Sequence, residues 1–263
     1  MNIDDLFPEN IVSKLEKFSL GTPYHYLDEV DSTNDYCAVM AKDGAPEGTL
    51  VVAQRQLKGK GRLGRSWISP PGGLYLSLLL RPRFEANKAA LLPLAAGVAV
   101  AETLEARGLT PRLKWPNDVL MENKKLCGIL VESGFSGTEL RYSIIGIGIN
   151  ITIDTGTLPT ELAGKTASLS HILDQPPEPS EVLVSLIGHL ECLYHLLERG
   201  QTDTVLNEYR DRSAVLGKTL TVAAPEGSIS GLAVAIDDTG ALVLETPGGQ
   251  RAILTGTISW PPF

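Results

Sequence analysis

The stretch Gly59-Lys60-Gly61-Arg62-Leu63-Gly64 sets the first constraint, because it has the G-x-G-x-x-G spacing that opens the first helix of a dinucleotide-binding fold. That fold needs a helix to start at the last glycine, so that its N-terminus can hold a pyrophosphate. Here the chain continues Arg65-Ser66-Trp67-Ile68-Ser69-Pro70-Pro71-Gly72-Gly73, whose prolines and glycines forbid that helix. No βαβ unit follows, so a doubly wound sheet is excluded. What remains is a glycine-rich loop carrying Lys60, Arg62 and Arg65. Its glycines permit positive φ and close backbone approach, so N–H groups can form an anion-binding nest. The cations add charge-assisted hydrogen bonds to phosphate or carboxylate. Such a loop is expected to be mobile when empty and to close over a bound anion.

The distribution of charge agrees with an anion site. The chain has 23 basic and 31 acidic side chains, a net charge of −8, which repels nucleic acid and anionic membranes at long range. Between Gly48 and Phe84, however, there is no Asp or Glu, while Arg55, Lys58, Lys60, Arg62, Arg65, Arg81 and Arg83 all fall there. Charge alone leaves a solvated basic loop open as the plainer reading.

With 263 residues, and roughly 150 per domain, one large domain with a small companion is expected. A chain of this size needs no disulfide or zinc to fold. Cys37, Cys127 and Cys192 are odd in number, far apart and flanked by core-like residues, which predicts three free, buried thiols in a reducing cytosol. No apolar run reaches the ~20 residues of a membrane span, and the apolar-rich stretch from Ala89 to Ala101 contains Pro93 and Gly97. The start, MNIDDLFPEN, has no basic or apolar region of a secretory signal, so a cytoplasmic protein is expected.

Periodicity and breakers predict a helix over Ile11–Phe18, a strand over Tyr24–Val30, and a helix to about Lys42 opened by the capping group Asp31-Ser32-Thr33-Asn34. Apolar runs at Thr49–Ala53 and Leu74–Leu80 read as strands. An Ala/Leu-rich helix is expected over about Asn87–Arg107, with Pro93 tolerable only near its first turn. Short strands follow at Arg112–Trp115 and Val119–Met121, then paired strands at Lys125–Glu132 and Arg141–Thr152. Pro179–Gly200 and Gln201–Arg212 read as helices. After Gly217 the texture changes to short β runs at 218–223, 229–236, 241–245 and 250–254, divided by turns, which suggests a small appended barrel. The four histidines have no metal-ligand spacing; His189 and His195 are six apart on one helix and face different ways.

At the loop, GKGRLGRSW resembles the G-R-G-R-x-G-R-x-W signature of biotin protein ligases. Four further segments fit that family in order: Asp31-Ser32-Thr33-Asn34, Lys114-Trp115-Pro116-Asn117-Asp118, Lys125-Leu126-Cys127-Gly128-Ile129-Leu130-Val131-Glu132, and Gly146-Ile147-Gly148-Ile149-Asn150. The resemblance implies an α+β fold: a class II aminoacyl-tRNA synthetase-like catalytic domain over 1–215, with a mixed or antiparallel sheet and flanking helices. A small C-terminal SH3-like β-barrel over 216–263 would follow. It also implies an ATP-dependent, AMP-forming activity. Biotin would be activated to biotinyl-5'-AMP and passed to a lysine of a biotin carboxyl carrier protein domain, of acetyl-CoA carboxylase or a related carboxylase. ATP and biotin would be substrates, with Mg²⁺ carried on the ATP phosphates rather than in a protein cage.

Residue roles follow from the same resemblance. Ser32, Thr33, Asn34 and Gln56 would meet the ureido head of biotin, and Gly59, Lys60, Gly61 and Arg62 would cover biotin and adenylate. Gly128, Gly146 and Gly148 would let strands approach the ligand. Arg62, Arg65, Trp67, Asn117, Lys125 and Asn150 would serve the adenylate. Lys125, Arg62 and Asp118 would be catalytic: cations against the carboxylate and α-phosphate, and a carboxylate to orient or deprotonate the acceptor lysine. Simpler roles stand beside these. Ser32, Thr33 and Asn34 can cap the following helix, Asn117-Asp118 can be a turn, and Trp115 reads as a core aromatic. Lys60 stands where the family usually has arginine, so a bidentate side-chain contact is in doubt there. About 24 residues precede the first strand, fewer than a winged helix-turn-helix needs, so no nucleic-acid partner is expected. Neither is a membrane partner, whereas a homodimer through exposed β edges is plausible in such a fold. The rival readings are a lipoate/octanoate ligase or transferase of the same fold, and a non-catalytic biotin or nucleotide sensor.

Overall fold

The computed structural model describes residues 6–259; the first five and last four residues of the two expected domains lie outside the described residues. Seven strands form one mixed sheet in the order β1-β2-β3-β7-β6-β5-β4. They are β1 (Tyr24–Val30), β2 (Leu50–Gln56), β3 (Gly73–Leu80), β4 (Arg112–Lys114), β5 (Asp118–Met121), β6 (Lys124–Ser136) and β7 (Glu139–Asn150). β1 and β2 pair in parallel and the other neighbours are antiparallel.

The near-continuous apolar runs of β3 and β7 exist because both faces of the sheet are covered. On one face, Val51, Leu79 and Ile144 pack with Cys37 and Ala41 of α2 (Thr33–Lys42). On the other, their neighbours Leu50, Leu78 and Ile145 join the main core with α3 (Leu92–Glu105) and, further on, α5 (Pro179–Glu198) and α6 (Thr202–Asp211). Adjacent residues of one strand thus serve different faces, as the pleat requires. Among the other helices, α1 (Pro8–Leu15) buries Ile11 and Leu15, and α4 (Thr160–Ala163) is a single turn near the site.

Several expected boundaries shift for local reasons. The first helix begins at Pro8 rather than Ile11, since proline suits a first turn. A single helix over Asn87–Arg107 would bury Pro93 in its interior. The chain instead makes a 3₁₀ turn at Ala86–Leu91 and starts α3 at Leu92, with Pro93 in the first turn. The thiol expectation is corrected at one position: Cys37 and Cys127 are free and buried, but Cys192 is exposed. In α5 it falls on the outward side of a helix whose buried stripe runs through Leu190, Leu193 and Leu197. His189 of α5 pairs with Glu102 at 2.9 Å and His195 lies 3.7 Å from Glu191, so each is engaged locally.

The C-terminal β unit is a five-stranded antiparallel sheet in the order β11-β10-β9-β8-β12. Its strands are β8 (Thr219–Ala224), β9 (Gly227–Ile236), β10 (Leu242–Thr246), β11 (Gly249–Ile253) and β12 (Thr257–Ser259). Trp115 is 2% exposed and its Nε1–H donates to the Gly240 carbonyl at 3.0 Å, so this core aromatic joins the two sheets. Arg210 of α6 adds hydrogen bonds to the Ile236 carbonyl at 2.9 and 2.6 Å.

Candidate functional site

A cavity of about 840 Å³ lies over strands β3, β7, β6, β5 and β4, between the glycine-rich loop, the segment around Leu162–Thr166 and the β12 region. One end is lined by the neutral polar side chains of Ser32, Thr33, Asn34 and Gln56. Ser32 caps α2 by accepting from the Asp35 N–H at 3.4 Å, so capping and lining coincide. The Gln56 side-chain oxygen accepts from the Thr33 N–H at 2.9 Å and from its hydroxyl at 3.1 Å, while the Gln56 amide donates to Ser69 Oγ at 2.9 Å. Ser77 Oγ of β3 lies 2.8 Å from Thr33 Oγ1 and 2.6 Å from Asn34 Oδ1, and Asn34 Nδ2 donates to Glu132 at 2.7 Å. Ser32, Thr33, Asn34 and Ser77 are all buried, so their mutual bonding offsets the cost of desolvation.

The floor is bare backbone. Gly128 and Gly148 face each other across β6 and β7, and the Trp67 ring lies on both. A Cβ on Gly148 would sit 2.5 Å from Trp67 Nε1, and one on Gly128 would sit 2.9 Å from the ring and 3.1 Å from Lys125 Cε. A Cβ on Gly146 would collide with Asn34 Oδ1. Trp67 Nε1 is buried and has no hydrogen-bond partner. These glycines therefore exist for close approach.

The loop itself differs from the expectation in detail. Of its glycines, Gly64 has positive φ, +72°, together with Leu63 at 56°; Gly61 is extended. The N–H groups of Gly61, Arg65 and Trp67 are bonded to the carbonyls of Arg65, Arg62 and Gly59, so these three are used to shape the loop rather than to cradle an anion. Gly59 lies behind the cavity wall: a Cβ there would collide with the Trp67 carbonyl. Lys60 lines the cavity, but its ammonium is ion-paired with Asp35 in the first turn of α2, which holds its pKa above the ordinary lysine value.

The other end is cationic. Arg62, Arg65, Lys114, Lys125 and Lys165 line it, and Asp118 is the one carboxylate among the cavity's lining residues. Lys125, at the start of β6, is fixed by its N–H to Lys165 O and its carbonyl to the Ala167 N–H, at 2.8 and 2.9 Å. Its ammonium pairs with Asp118 at 2.7 Å and stands 5.0 Å from the centre of the Trp67 ring. Asn117 receives Arg62 Nη1 at 3.1 Å and donates to the Ile129 carbonyl at 2.7 Å, so it joins the loop to β6. Buried Asn150 donates to the Ala167 carbonyl at 3.0 Å and secures the segment that fixes Lys125. Burial lowers the pKa of Arg62, offset by nearby Asp118; burial likewise lowers that of Lys114, against the pull of Asp118.

Residues 26–150 match the profile of the biotin/lipoate A/B protein ligase family, and residues 215–260 match that of the biotin protein ligase C terminal domain. The bifunctional ligase/repressor BirA of Bacillus subtilis is 36% identical over 242 residues, spanning 91% of this chain and 74% of that protein. The biotin–[acetyl-CoA-carboxylase] ligase of Paracoccus denitrificans is 33% identical over 243 residues, spanning 86% of this chain and 96% of that protein. The chain belongs to the biotin protein ligase family. Among solved structures, the biotin protein ligase from Aquifex aeolicus in complex with biotin and ATP has a TM-score of 0.78 at 32% identity, covering 90% of this chain and 98% of that one.

Of the residues given site roles by the resemblance, all but Gly59 line this one cavity, although they come from α2, four strands and three loops. Sequence reasoning missed Ser77, Glu132, Lys114 and Lys165 as site residues. Ser77 carried a readable signal: it is the only hydroxyl aliphatic residue inside the apolar run of β3, where a buried polar group requires a partner. Lys165 sits in a loop without a motif and carried none.

Proposed function

We propose that the chain is a biotin protein ligase that activates biotin with ATP and transfers it to a lysine of a biotin carboxyl carrier domain. The observation that carries this reading is the polarity of the cavity. Neutral hydrogen-bonding side chains lining one end suit a ureido head, and five cations (Arg62, Arg65, Lys114, Lys125 and Lys165) against one lining carboxylate at the other suit a carboxylate meeting a triphosphate. In the first step an oxygen of the biotin carboxylate bonds to the α-phosphorus, and the bond from that phosphorus to the bridging oxygen of pyrophosphate breaks. Two anions must meet, so Arg62 and Lys125 lower their repulsion and stabilise the extra charge of the pentacoordinate state. In the second step the neutral lysine amine attacks the acyl carbon, AMP leaves, and Asp118 orients the amine and takes its proton.

Mg²⁺, when bound, would neutralise phosphate charge. The site suits an ion carried by the substrate, because Asp118 already pairs with Lys125 and no group of three or more His, Cys, Asp or Glu is gathered among the described residues. A lipoyl or octanoyl tail would leave the Thr33–Gln56–Asn34 end facing an apolar group, which disfavours the lipoate reading. The facing pair of Lys125 and Asp118 disfavours a pure sensor, since binding alone needs no residue placed for acyl transfer.

The net charge of −8 weighs against nucleic acid or anionic membrane as partners. Among the described residues no helix is long and apolar enough to cross a membrane, and the cytoplasm is the proposed compartment. Edge strand β1 offers backbone for a homodimer, which light scattering with saturating ligand would read, whereas the outer edge of β4 is already bonded to Arg212–Ala214. The direct test is incubation with biotin, ATP, Mg²⁺ and a biotin carboxyl carrier domain. Covalent, avidin-reactive label on one lysine is the expected result; no label, with the carrier folded, refutes the proposal.

A further inference from the structure

The C-terminal sheet reaches the cavity through the turn before β12 and through β12 itself. Between β11 and β12, Thr255 Oγ1 accepts from Arg62 Nη2 at 2.6 Å and the Gly256 carbonyl lies 3.4 Å from Arg62 Nη1; at the first residue of β12, Thr257 Oγ1 accepts from Arg65 Nη2 at 2.9 Å. With Asn117, Arg62 is therefore held from both sheets at once. The turn has little freedom to follow a moving loop. A Cβ on Gly256 would strike Val222 Cγ1 and lie 2.9 Å from the Ala223 carbonyl of β8, and the sheet is tied to the β4–β5 segment by Trp115.

The chemistry of these acceptors is informative. Arg62 and Arg65 are met here by hydroxyls, an amide and a carbonyl, all neutral. A carboxylate in their place would orient each guanidinium equally well but would cancel the charge that an incoming phosphate needs. Neutral acceptors use part of the donor fork for aim and leave the positive charge available. Preorganisation of this kind lowers the reorganisation required when charge develops in the transition state.

We propose that Thr255 and Thr257 are positioning residues for the adenylation step, acting by aiming Arg62 and Arg65. The inference rests on the ligase reading above and adds to it the residues that aim the loop arginines. The substitution Thr255→Val keeps shape and removes the acceptor; Thr255→Ser keeps the acceptor. The assay is biotin-dependent pyrophosphate–ATP exchange on the full chain, with KM for ATP and for biotin measured separately and thermal unfolding recorded.

Thr255→Val is expected to lower kcat/KM for ATP about tenfold, with KM for biotin within twofold of the unmodified protein and an unchanged Tm, and Thr255→Ser is expected to restore the rate. Thr257→Val, acting through the more exposed Arg65, is expected to lower it about threefold and provides the reading should Thr255→Val not fold. Exchange by both valine variants at the unmodified rate overturns the proposal while leaving the ligase reading intact, as does a loss in Thr255→Ser equal to that in Thr255→Val. Absence of biotin-dependent exchange in the unmodified protein overturns both.

Discussion

Replacing Gly148 with alanine isolates the contact on which the closed loop depends. The new methyl would lie 2.5 Å from Trp67 Nε1, 2.7 Å from Cε2 and 3.0 Å from Cζ2. Ordinary contact starts near 3.4 Å, so the indole must lift by roughly 1 Å, an overpacking typically worth about 1–3 kcal/mol. Which equilibrium bears that cost follows from where each group sits. Gly148 is in a central strand with an ordinary φ, where alanine gains about 0.5–1 kcal/mol of conformational entropy over glycine. Trp67 is on a half-buried loop that can retreat into solvent without disturbing the core. The penalty therefore falls on the loop-closed state that covers the ligand, not on folding. Biotin affinity should weaken by about 5- to 150-fold, the range that 1–3 kcal/mol implies. The Tm should move by less than about 4 °C, since 1 kcal/mol shifts a domain of this size by about 2–4 °C. Titration calorimetry with biotin and a thermal melt of the same preparation separate the two. An affinity within twofold of the unmodified protein, or a melt lowered by much more than that with affinity intact, would refute the reasoning.

Three further outcomes follow from the same geometry. Lys125→Gln should slow biotin-dependent pyrophosphate exchange about 10²–10³-fold, whereas Asp118→Asn should slow transfer to a carrier lysine more than exchange; quenched-flow assays of each half-reaction would contradict this if both variants lost both steps equally. Lys60→Arg should change the Kd for biotin by less than about threefold, because the ammonium already pairs with Asp35; a larger change would mean that the side chain meets the ligand. Thiol titration of the native protein should find one fast-reacting cysteine, Cys192, and all three only after unfolding. Cys37 and Cys127 are buried, and burial pushes the Cys37 thiol up to about 12; rapid native labelling of either would contradict the packing.

Much of this architecture was legible in the chain because local chemistry and tertiary context agree there. β1 and α2 have the expected boundaries, since the capping group at Ser32–Asn34 marks the junction and the apolar pattern continues it. The failed dinucleotide pattern was equally legible: Pro70 and Pro71 forbid the helix whatever the rest of the chain does. Contacts between distant segments were not. Nothing near Thr255 signals that it will meet Arg62, nearly two hundred residues earlier, because that contact is created by the docking of a second sheet. The Lys125–Asp118 pair depends on the register of β5 against β6, including an irregularity between Val119 and Leu120 that no pattern of apolar residues specifies. The exposure of Cys192 was obscured for a related reason: Leu190, Leu193 and Tyr194 around it are buried, yet helical geometry turns Cys192, like Glu191, away from that stripe.

The central claim is that the cavity activates the carboxylate of biotin against the α-phosphate of ATP. Exchange of [³²P]pyrophosphate into ATP, with biotin, lipoate or octanoate as the added acid, measures that step alone. Exchange that depends on biotin and is absent with the other two acids is the predicted result. Exchange supported by lipoate or octanoate, with none supported by biotin, would contradict it.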